Sequence, residues 1–202
     1  KDMRTVGILN EDKENKVIEV GVPVGVVAGL IPSTNPTSTV MYKALIALKG
    51  GNSIVFSPHP HAAKCINETV DIIKKAAVSA GCPEGAIGVI QRVSIEATNE
   101  LMKHKDTNLI LATGGNAMVK AAYSSGTPAI GVGPGNGPAF IEKTADIPKA
   151  VRQILDSKTF DNGVICASEQ SIIVEEETKD KVVEEFKRQG AYFVPKEDAK
   201  KL

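Results

Sequence analysis

The residue best suited to chemistry is Cys166, in the run Phe160-Asp161-Asn162-Gly163-Val164-Ile165-Cys166-Ala167-Ser168-Glu169-Gln170-Ser171. An Asn-Gly pair demands a tight turn, and such turns expose the residues just after them. A thiol presented in this way can attack a carbonyl carbon once it is ionised. No histidine is adjacent in sequence, so activation would fall to backbone donors and to the charge of a bound cofactor. The residues leave a second reading open, a buried thiol at the start of a strand. Of the other cysteines, Cys65 lies on a helical pattern and reads as a small buried hydrophobe, and Cys82 reads less firmly in the same way. An odd set of three without close pairing fits free thiols in a reducing cytosol.

The elements that must position Cys166 come from an alternating pattern. Short apolar runs at Val24–Ile31, Ser53–Ser57, Ile87–Gln91, Leu109–Thr113 and Ala129–Gly133 read as strands. Amphipathic stretches at about 38–49, 61–80, 94–104 and 116–125 read as helices between them. Near-continuous apolar strands alternating with helices predict an α/β fold with a doubly wound parallel sheet covered on both faces. In the second helix Ala62, Ile66, Val70, Ile73 and Ala77 form one stripe, and Gly81 and Pro83 stop it. The first helix is apolar around most of its circumference, from Val40 to Leu48, and is expected to be buried on several sides.

After Gly133 the pattern changes. Pro138–Glu142 reads as a strand, Asp146 caps a helix to about Lys158, Ser171–Val174 is a strand, Thr178 opens a helix to about Arg188, and Ala191–Val194 is a further strand. The glycines and prolines of Gly131–Pro138 set a boundary between residues 1–133 and 134–202. The second part looks like the start of another α/β domain, too short to close its own core, so the fold is expected to continue past the end of the chain. Residues 1–16 are polar and aperiodic and read as a loop or an edge segment.

In a doubly wound sheet ligands gather beyond the carboxyl ends of the strands. That rule selects Ser33-Thr34-Asn35-Pro36, Ser57-Pro58-His59-Pro60, Thr113-Gly114-Gly115 and the glycine-rich stretch that includes Gly133. Each alone could be a plain turn; together on one edge they favour a binding site. Asn35 reads from the residues as an N-cap for the helix that follows; a second reading, a functional amide, comes only from the resemblance given below. Gly114-Gly115 before a helix lets a phosphate approach free backbone N–H groups. Gly131-Val132-Gly133-Pro134-Gly135-Asn136-Gly137 is not a dinucleotide fingerprint, because the glycine spacing fails and an extended segment comes next instead of a helix. His59 and His61 have no neighbouring carboxylate or thiol cluster, so no metal is expected. His104, between two lysines at a helix end, serves the helix dipole.

Composition narrows the classes. The chain is 42% hydrophobic and 24% charged, and Lys+Arg and Asp+Glu both number 24, which gives no electrostatic footprint for nucleic acid or an acidic membrane. The sequence shows no signal-peptide pattern and no membrane span.

From about Val17 to Phe193 the chain resembles the CoA-acylating aldehyde dehydrogenases, notably the aldehyde half of the bifunctional aldehyde–alcohol dehydrogenases and the related acetaldehyde and propionaldehyde enzymes. The resemblance implies an aldehyde dehydrogenase-like fold: a cofactor domain over 1–133, then the start of the catalytic domain over 134–202. It implies NAD as cofactor, coenzyme A as co-substrate and a short-chain aldehyde as substrate. Cys166 would be the nucleophile and Asn35 the amide that holds the oxyanion. Pro32, Ser33, Thr34, Ser57, His59, Thr113, Gly114, Gly115 and Gly133 would line the cofactor pocket. Hydrolytic members carry a glutamate where Val132 stands, and no acid lies between Ala112 and Phe140, so release to CoA is expected. Many non-acylating members have a serine at Gly115 and a lysine at Ser57. The resemblance further implies a homo-oligomer at full length in the cytoplasm or a bacterial microcompartment. Two alternatives stay open: a hydrolytic aldehyde dehydrogenase, and a non-catalytic nucleotide-binding or assembly fragment.

Overall fold

The structure, a computed structural model, describes residues 2–201. Contacts divide the chain into two compact units at Pro134/Gly135.

The first unit opens with an antiparallel hairpin, β1 (Gly7–Asp12) and β2 (Val17–Gly21). The Asp12 carboxylate closes its turn by accepting the backbone N–H groups of Glu14 and Asn15, both at 3.0 Å. Residues 1–16 therefore include a strand instead of only a loop or edge. The period-two signal is missing because residues on both faces of this ribbon are exposed.

Then come β3 (Val26–Leu30), α1 (Pro36–Lys49), β4 (Ser53–Ser57), a 3-10 turn (Pro60–Ala62), α2 (Ala63–Ser79), β5 (Ile87–Val89), α3 (Ile95–Lys103), β6 (Thr107–Thr113), α4 (Asn116–Tyr123) and β7 (Ala129–Val132). The five strands form one parallel sheet in the order β5-β4-β3-β6-β7. This is the doubly wound arrangement, with β3 at the centre and the progression reversing between β3 and β6.

Alternation along β3 separates the two sides. Val27 and Ile31 join Val40, Ala44, Ile54, Phe56, Ile66 and Val70 in one core cluster. Ala28 and Leu30 join Met102, Ile110, Ala112 and Ala122 in another. Thus α1 and α2 cover one face and α3 and α4 the other. Gly29 is needed in the central strand because a Cβ there would lie 2.8 Å from the Phe56 ring. Local signals set the helix ends: Ser94 Oγ accepts Ala97 N–H at the start of α3. Gly81, at φ +94°, lets Cys82 N–H return to Ala77 O after α2.

Two expectations for this unit need correction. Helix α1 is buried on one face only: Val40, Ala44 and Ala47 are in the core, while Met41, Tyr42, Leu45 and Ile46 are exposed. Apolar composition all round does not bury a helix whose other face meets no neighbour among the described residues. Cys65 is exposed; it sits one residue, about 100° of helix, off the Ile66–Val70 stripe.

The second unit pairs β8 (Gly137–Ile141) with β9 (Glu169–Val174) in parallel, with α5 (Ile147–Thr159) between them in sequence and α6 (Lys179–Arg188) following. Asp146 caps α5 by accepting Lys149 N–H, whereas Thr178 stands at the start of α6 without a side-chain cap bond. Ile141, Val151, Val182 and Phe186 form the core. Ala191–Val194 is not a strand. Ala191 N–H closes α6 by bonding Phe186 O, and no described strand offers the following residues a ladder.

One ionisable group lies inside the first core. Lys43 is 3% exposed, and burial lowers its pKa from 10.5 to about 7. Below pH 7 both folded and unfolded chains carry this proton, and the full desolvation cost is present. Between about 7 and 10.5 the unfolded chain binds more protons, so the Lys43 contribution to stability must rise with pH across that window. The unfolding free energy of the native chain minus that of Lys43→Met is expected to increase from pH 7 to pH 10 by an amount on the order of a few kcal/mol. Denaturant titrations at each pH would measure it, and a flat difference would mean that the lysine titrates normally.

Candidate functional site

In the first unit the candidate residues converge on one edge of the sheet. β3 leads into Ile31–Asn35, where Ile31 N–H bonds Ser57 O at 3.1 Å, Pro32 is buried, Ser33 and Thr34 are exposed and Asn35 is half-buried. Asn35 occupies the N-cap position of α1, but its side chain makes no cap hydrogen bond. Its backbone carbonyl instead accepts Thr39 Oγ1 at 2.7 Å and Ser38 Oγ at 3.3 Å. Oδ1 accepts Thr34 Oγ1 at 3.3 Å. Of the two readings for Asn35, capping by the side chain is thereby set aside, and the amide N–H₂ has no partner among the described residues.

At the end of β6, Gly114 N–H bonds Val132 O at 3.2 Å, and Gly115 precedes the first turn of α4. A Cβ at Gly115 would meet nothing within 4 Å, so this turn is open on its outer side; one at Gly133 would lie 3.3 Å from Asn116 Oδ1. The first N–H groups of α4 are orphan donors with partial positive charge, suited to an anionic group.

The Ser57 side chain is engaged elsewhere. It is buried, and its hydroxyl lies 2.8 Å from Thr98 Oγ1. Thr98 gives its own proton to Ser94 O at 2.9 Å, so Ser57 is the donor. That takes the Ser57 hydroxyl out of the set open to a ligand, and its carbonyl is bonded to Ile31. His59 is half-buried; its Nδ1 accepts His61 N–H at 3.2 Å, which leaves Nε2 as the protonated nitrogen of the neutral ring. Among the described residues no group of three or more His, Cys, Asp or Glu gathers as metal ligands.

In the second unit, α5 gives way to Phe160–Gly163, where Asp161 (φ 49°), Asn162 (φ 53°) and Gly163 (φ 69°) are consecutively left-handed. Asn and Asp are the non-glycine residues that tolerate this conformation. At Gly163 a Cβ would also stand 3.0 Å from Lys158 O. This reversal delivers Cys166 to an exposed turn, and its thiol makes no hydrogen bond among the described residues. Of the two sequence readings, the buried thiol does not hold. A Cβ at Gly135 would approach the Cys166 carbonyl to 3.2 Å, so part of the glycine-rich run lies against the turn that carries Cys166.

Ser168 is the residue that sequence reading missed here. It is 2% exposed, and its Oγ donates to Ile165 O at 3.0 Å while accepting from Lys158 Nζ at 3.3 Å and Gln170 Nε2 at 3.4 Å. Its backbone N–H bonds the same carbonyl at 3.2 Å. Ser168 thus closes the four-residue turn that carries Cys166, and nothing in a Cys-Ala-Ser string signals it. Ser168→Ala is expected to cost about 1–3 kcal/mol, the penalty for leaving such a buried group unpaired. Denaturant unfolding would read it, and an unchanged midpoint would show that the serine closes nothing.

Known proteins resemble this chain over nearly its whole length. The bifunctional aldehyde–alcohol dehydrogenase of Escherichia coli K12 is 53% identical over 200 residues, which cover 99% of this chain and 22% of that protein. The crystal structure of an acetylating aldehyde dehydrogenase from Geobacillus thermoglucosidasius superposes with a TM-score of 0.87 at 60% identity, covering 99% of this chain and 44% of that one. A propionaldehyde dehydrogenase from Rhodopseudomonas palustris, solved with bound CoA and an acylated cysteine, superposes with a TM-score of 0.77 at 37% identity, over 89% of this chain and 41% of that one. The chain therefore spans about a fifth of the curated relative and less than half of the solved ones. Residues 2–196 match the aldehyde dehydrogenase family, and with these identities over nearly its whole length the chain belongs to that family.

Proposed function

We propose that this chain supplies the dinucleotide-binding part and the nucleophile of an NAD-dependent, CoA-acylating aldehyde dehydrogenase. The observation that carries the acylating reading is the edge around β7. Val132 ends that strand exposed, where hydrolytic members have a glutamate, and no acid lies between Ala112 and Phe140. Water attacking a thioester needs a base to take its proton, and none stands in this segment. A thiol co-substrate is partly ionised near neutral pH and needs less help. The relatives named acetylating, and the CoA complex of a related enzyme, support the same reading.

The residues present fit a dinucleotide. The crevice at the β3/β6 reversal is flanked by exposed Ser33 and Thr34, by the open Gly115 turn and by the orphan N–H groups of α4. A dinucleotide held there would supply, in its nicotinamide, the acceptor for the hydride released from the former aldehyde carbon. Cys166 forms the C–S bond as the carbonyl π pair moves to oxygen. The free amide of Asn35 is the donor suited to the resulting oxyanion. Collapse of that oxyanion leaves a thioester on Cys166. The incoming thiolate of CoA then displaces the Cys166 thiolate and leaves as acyl-CoA. Short-chain aldehydes such as acetaldehyde are the substrate class, and the reaction runs in either direction with the same groups. NAD as the dinucleotide, a cytoplasmic or microcompartment setting and a homo-oligomer at full length belong to the same proposal. In the described residues no helix is long and apolar enough to cross a membrane.

Three outcomes test this in the protein carrying the sequence at its full natural length. Mixed with aldehyde and NAD but no CoA, it should give one burst of reduced cofactor and then stall until CoA is added. Cys166→Ala should remove burst and turnover alike, by roughly 10³-fold or more. Steady release of free acid without CoA would sink the acylating reading, and retained turnover in the variant would sink the nucleophile. Asn35→Ala should lower kcat by about 10²–10³-fold with little change in NAD affinity; near-normal kcat would remove Asn35 from the chemistry.

A further inference from the structure

Lys43 has the most unusual setting of any charged residue in the first unit. Its Nζ donates to Leu30 O and to Leu111 O, both at 2.7 Å. Leu30 is the last residue of β3, and Leu111 lies near the end of β6. These are the two strands that flank the reversal in the order β5-β4-β3-β6-β7. Beyond their ends the chain departs to opposite faces of the sheet, toward α1 and toward α4, so the parallel ladder runs out where ligand loops begin.

We propose that Lys43 is a positioning residue: from α1 it ties the carboxyl ends of β3 and β6 to each other and so sets the spacing of the Ile31–Asn35 and Gly114–Gly115 segments. That these segments take a dinucleotide rests on the function proposed above; the tie itself does not.

The chemistry of an amine suits this task. Two carbonyls need two N–H donors, and a neutral amine has two. The third proton of the ammonium form has no acceptor among the described residues, and burial is what lowers the pKa to about 7. Losing that proton therefore removes an unsatisfied donor and keeps both ties. No other titratable side chain occurs on β3, β4 or β6. On α1 the others are Tyr42 and Lys49, and on α2, which packs against α1, they are Lys64, Cys65, Glu68, Asp71, Lys74 and Lys75; none of them bonds to Lys43. The planar fork of arginine could not be substituted without displacing this packing.

The test is Lys43→Met in the protein at full natural length, followed by hydrogen exchange and steady-state kinetics. With a native-like circular dichroism spectrum, exchange through residues 31–36 and 112–116 should quicken by about tenfold or more while α2 and α3 stay unchanged. KM for NAD should rise about tenfold, with kcat at saturating NAD within about threefold of the native enzyme. Loss of folded protein alone would lower kcat and leave KM unchanged. Unchanged exchange at these segments, or a uniform rise across the unit, would overturn the proposal. If the variant does not fold, the native protein decides: after correction for intrinsic rates, protection of the two segments should hold from pH 6 to about pH 8.5, and selective loss above pH 7 would overturn it. Loosened segments in a protein whose native form binds no NAD would keep the tie and remove the function.

Discussion

The first unit depends on the central strand β3, which is paired in parallel on both sides and has little freedom to shift. Its register is held at both ends by side chains from elsewhere in the sequence. At the amino end, Asn52 Oδ1 accepts the N–H groups of Val24 and Gly25, and Asn108 Oδ1 accepts that of Val26. At the carboxyl end, Lys43 takes the carbonyls of β3 and of its neighbour. The hydrogen-bond needs of buried backbone explain both: where a parallel ladder starts or stops, groups are left without strand partners and must find side chains. The amides serve the donors and the amine serves the acceptors. The crevice between β3 and β6 is thus bounded by backbone with little room to drift.

The second unit holds its exposed cysteine by different means. No sheet partner fixes Cys166. Three consecutive left-handed residues reverse the chain after α5, and the buried Ser168 hydroxyl closes the next turn. Left-handed backbone is uncommon for Asp and Asn and persists only where surrounding contacts over-determine it. Here those contacts are the closed turn and Lys158, which reaches Ser168 with its ammonium group and crowds Gly163 with its carbonyl. Cys166 is exposed while Ser168 beneath it is buried, an arrangement that would suit the nucleophile proposed above.

Much of this was legible in the sequence, and the reasons it was legible are physical. The five sheet strands and four helices of the first unit announced themselves because the inner strands β4, β3 and β6 are largely buried and the helices bury one face, so period and composition agree; edge strand β7, with Ile130 and Val132 exposed, was marked by its apolar run alone. Asn-Gly before Cys166 marked the turn. The hairpin β1–β2 was missed because solvent on both faces erases alternation. Ala191–Val194 was misread because an apolar run becomes a strand only where a ladder exists to join. Lys43 was visible in principle: it lies on the Val40–Ala44–Ala47 stripe as the charge among buried apolar residues. What it bonds to depends on pairing β3 with β6, strands separated by almost eighty residues, and no local pattern encodes that. Ser57 shows the same limit in reverse, since its place after a strand suggested a ligand contact, while its hydroxyl turned to Thr98 on α3.

The distribution of charge adds a constraint that the net balance hides. Acids and bases are equal in number along the chain, yet the carboxyl-end connections of the sheet contain no Asp or Glu. None occurs in Ile31–Asn35, in Pro58–Ala62, in Ile90–Ser94, in Gly114–Gly115 or in Gly133–Gly137. Arg92, His59 and His61 are the titratable residues there. Acids lie elsewhere, including Glu68 and Asp71 on α2 and Asp12 at the end of β1. An anion approaching this edge meets no fixed negative charge and faces the orphan N–H groups at the start of α4, whose partial positive charge is felt within about one helical turn. A dinucleotide pyrophosphate and the phosphates of CoA share that requirement, so one acid-free edge is compatible with both. A glutamate at Val132 would put the first carboxylate on this edge; it would give water a base and place a negative charge beside an anionic ligand. Under the proposed function, its absence would suit acyl transfer and anion binding through the same physical cause.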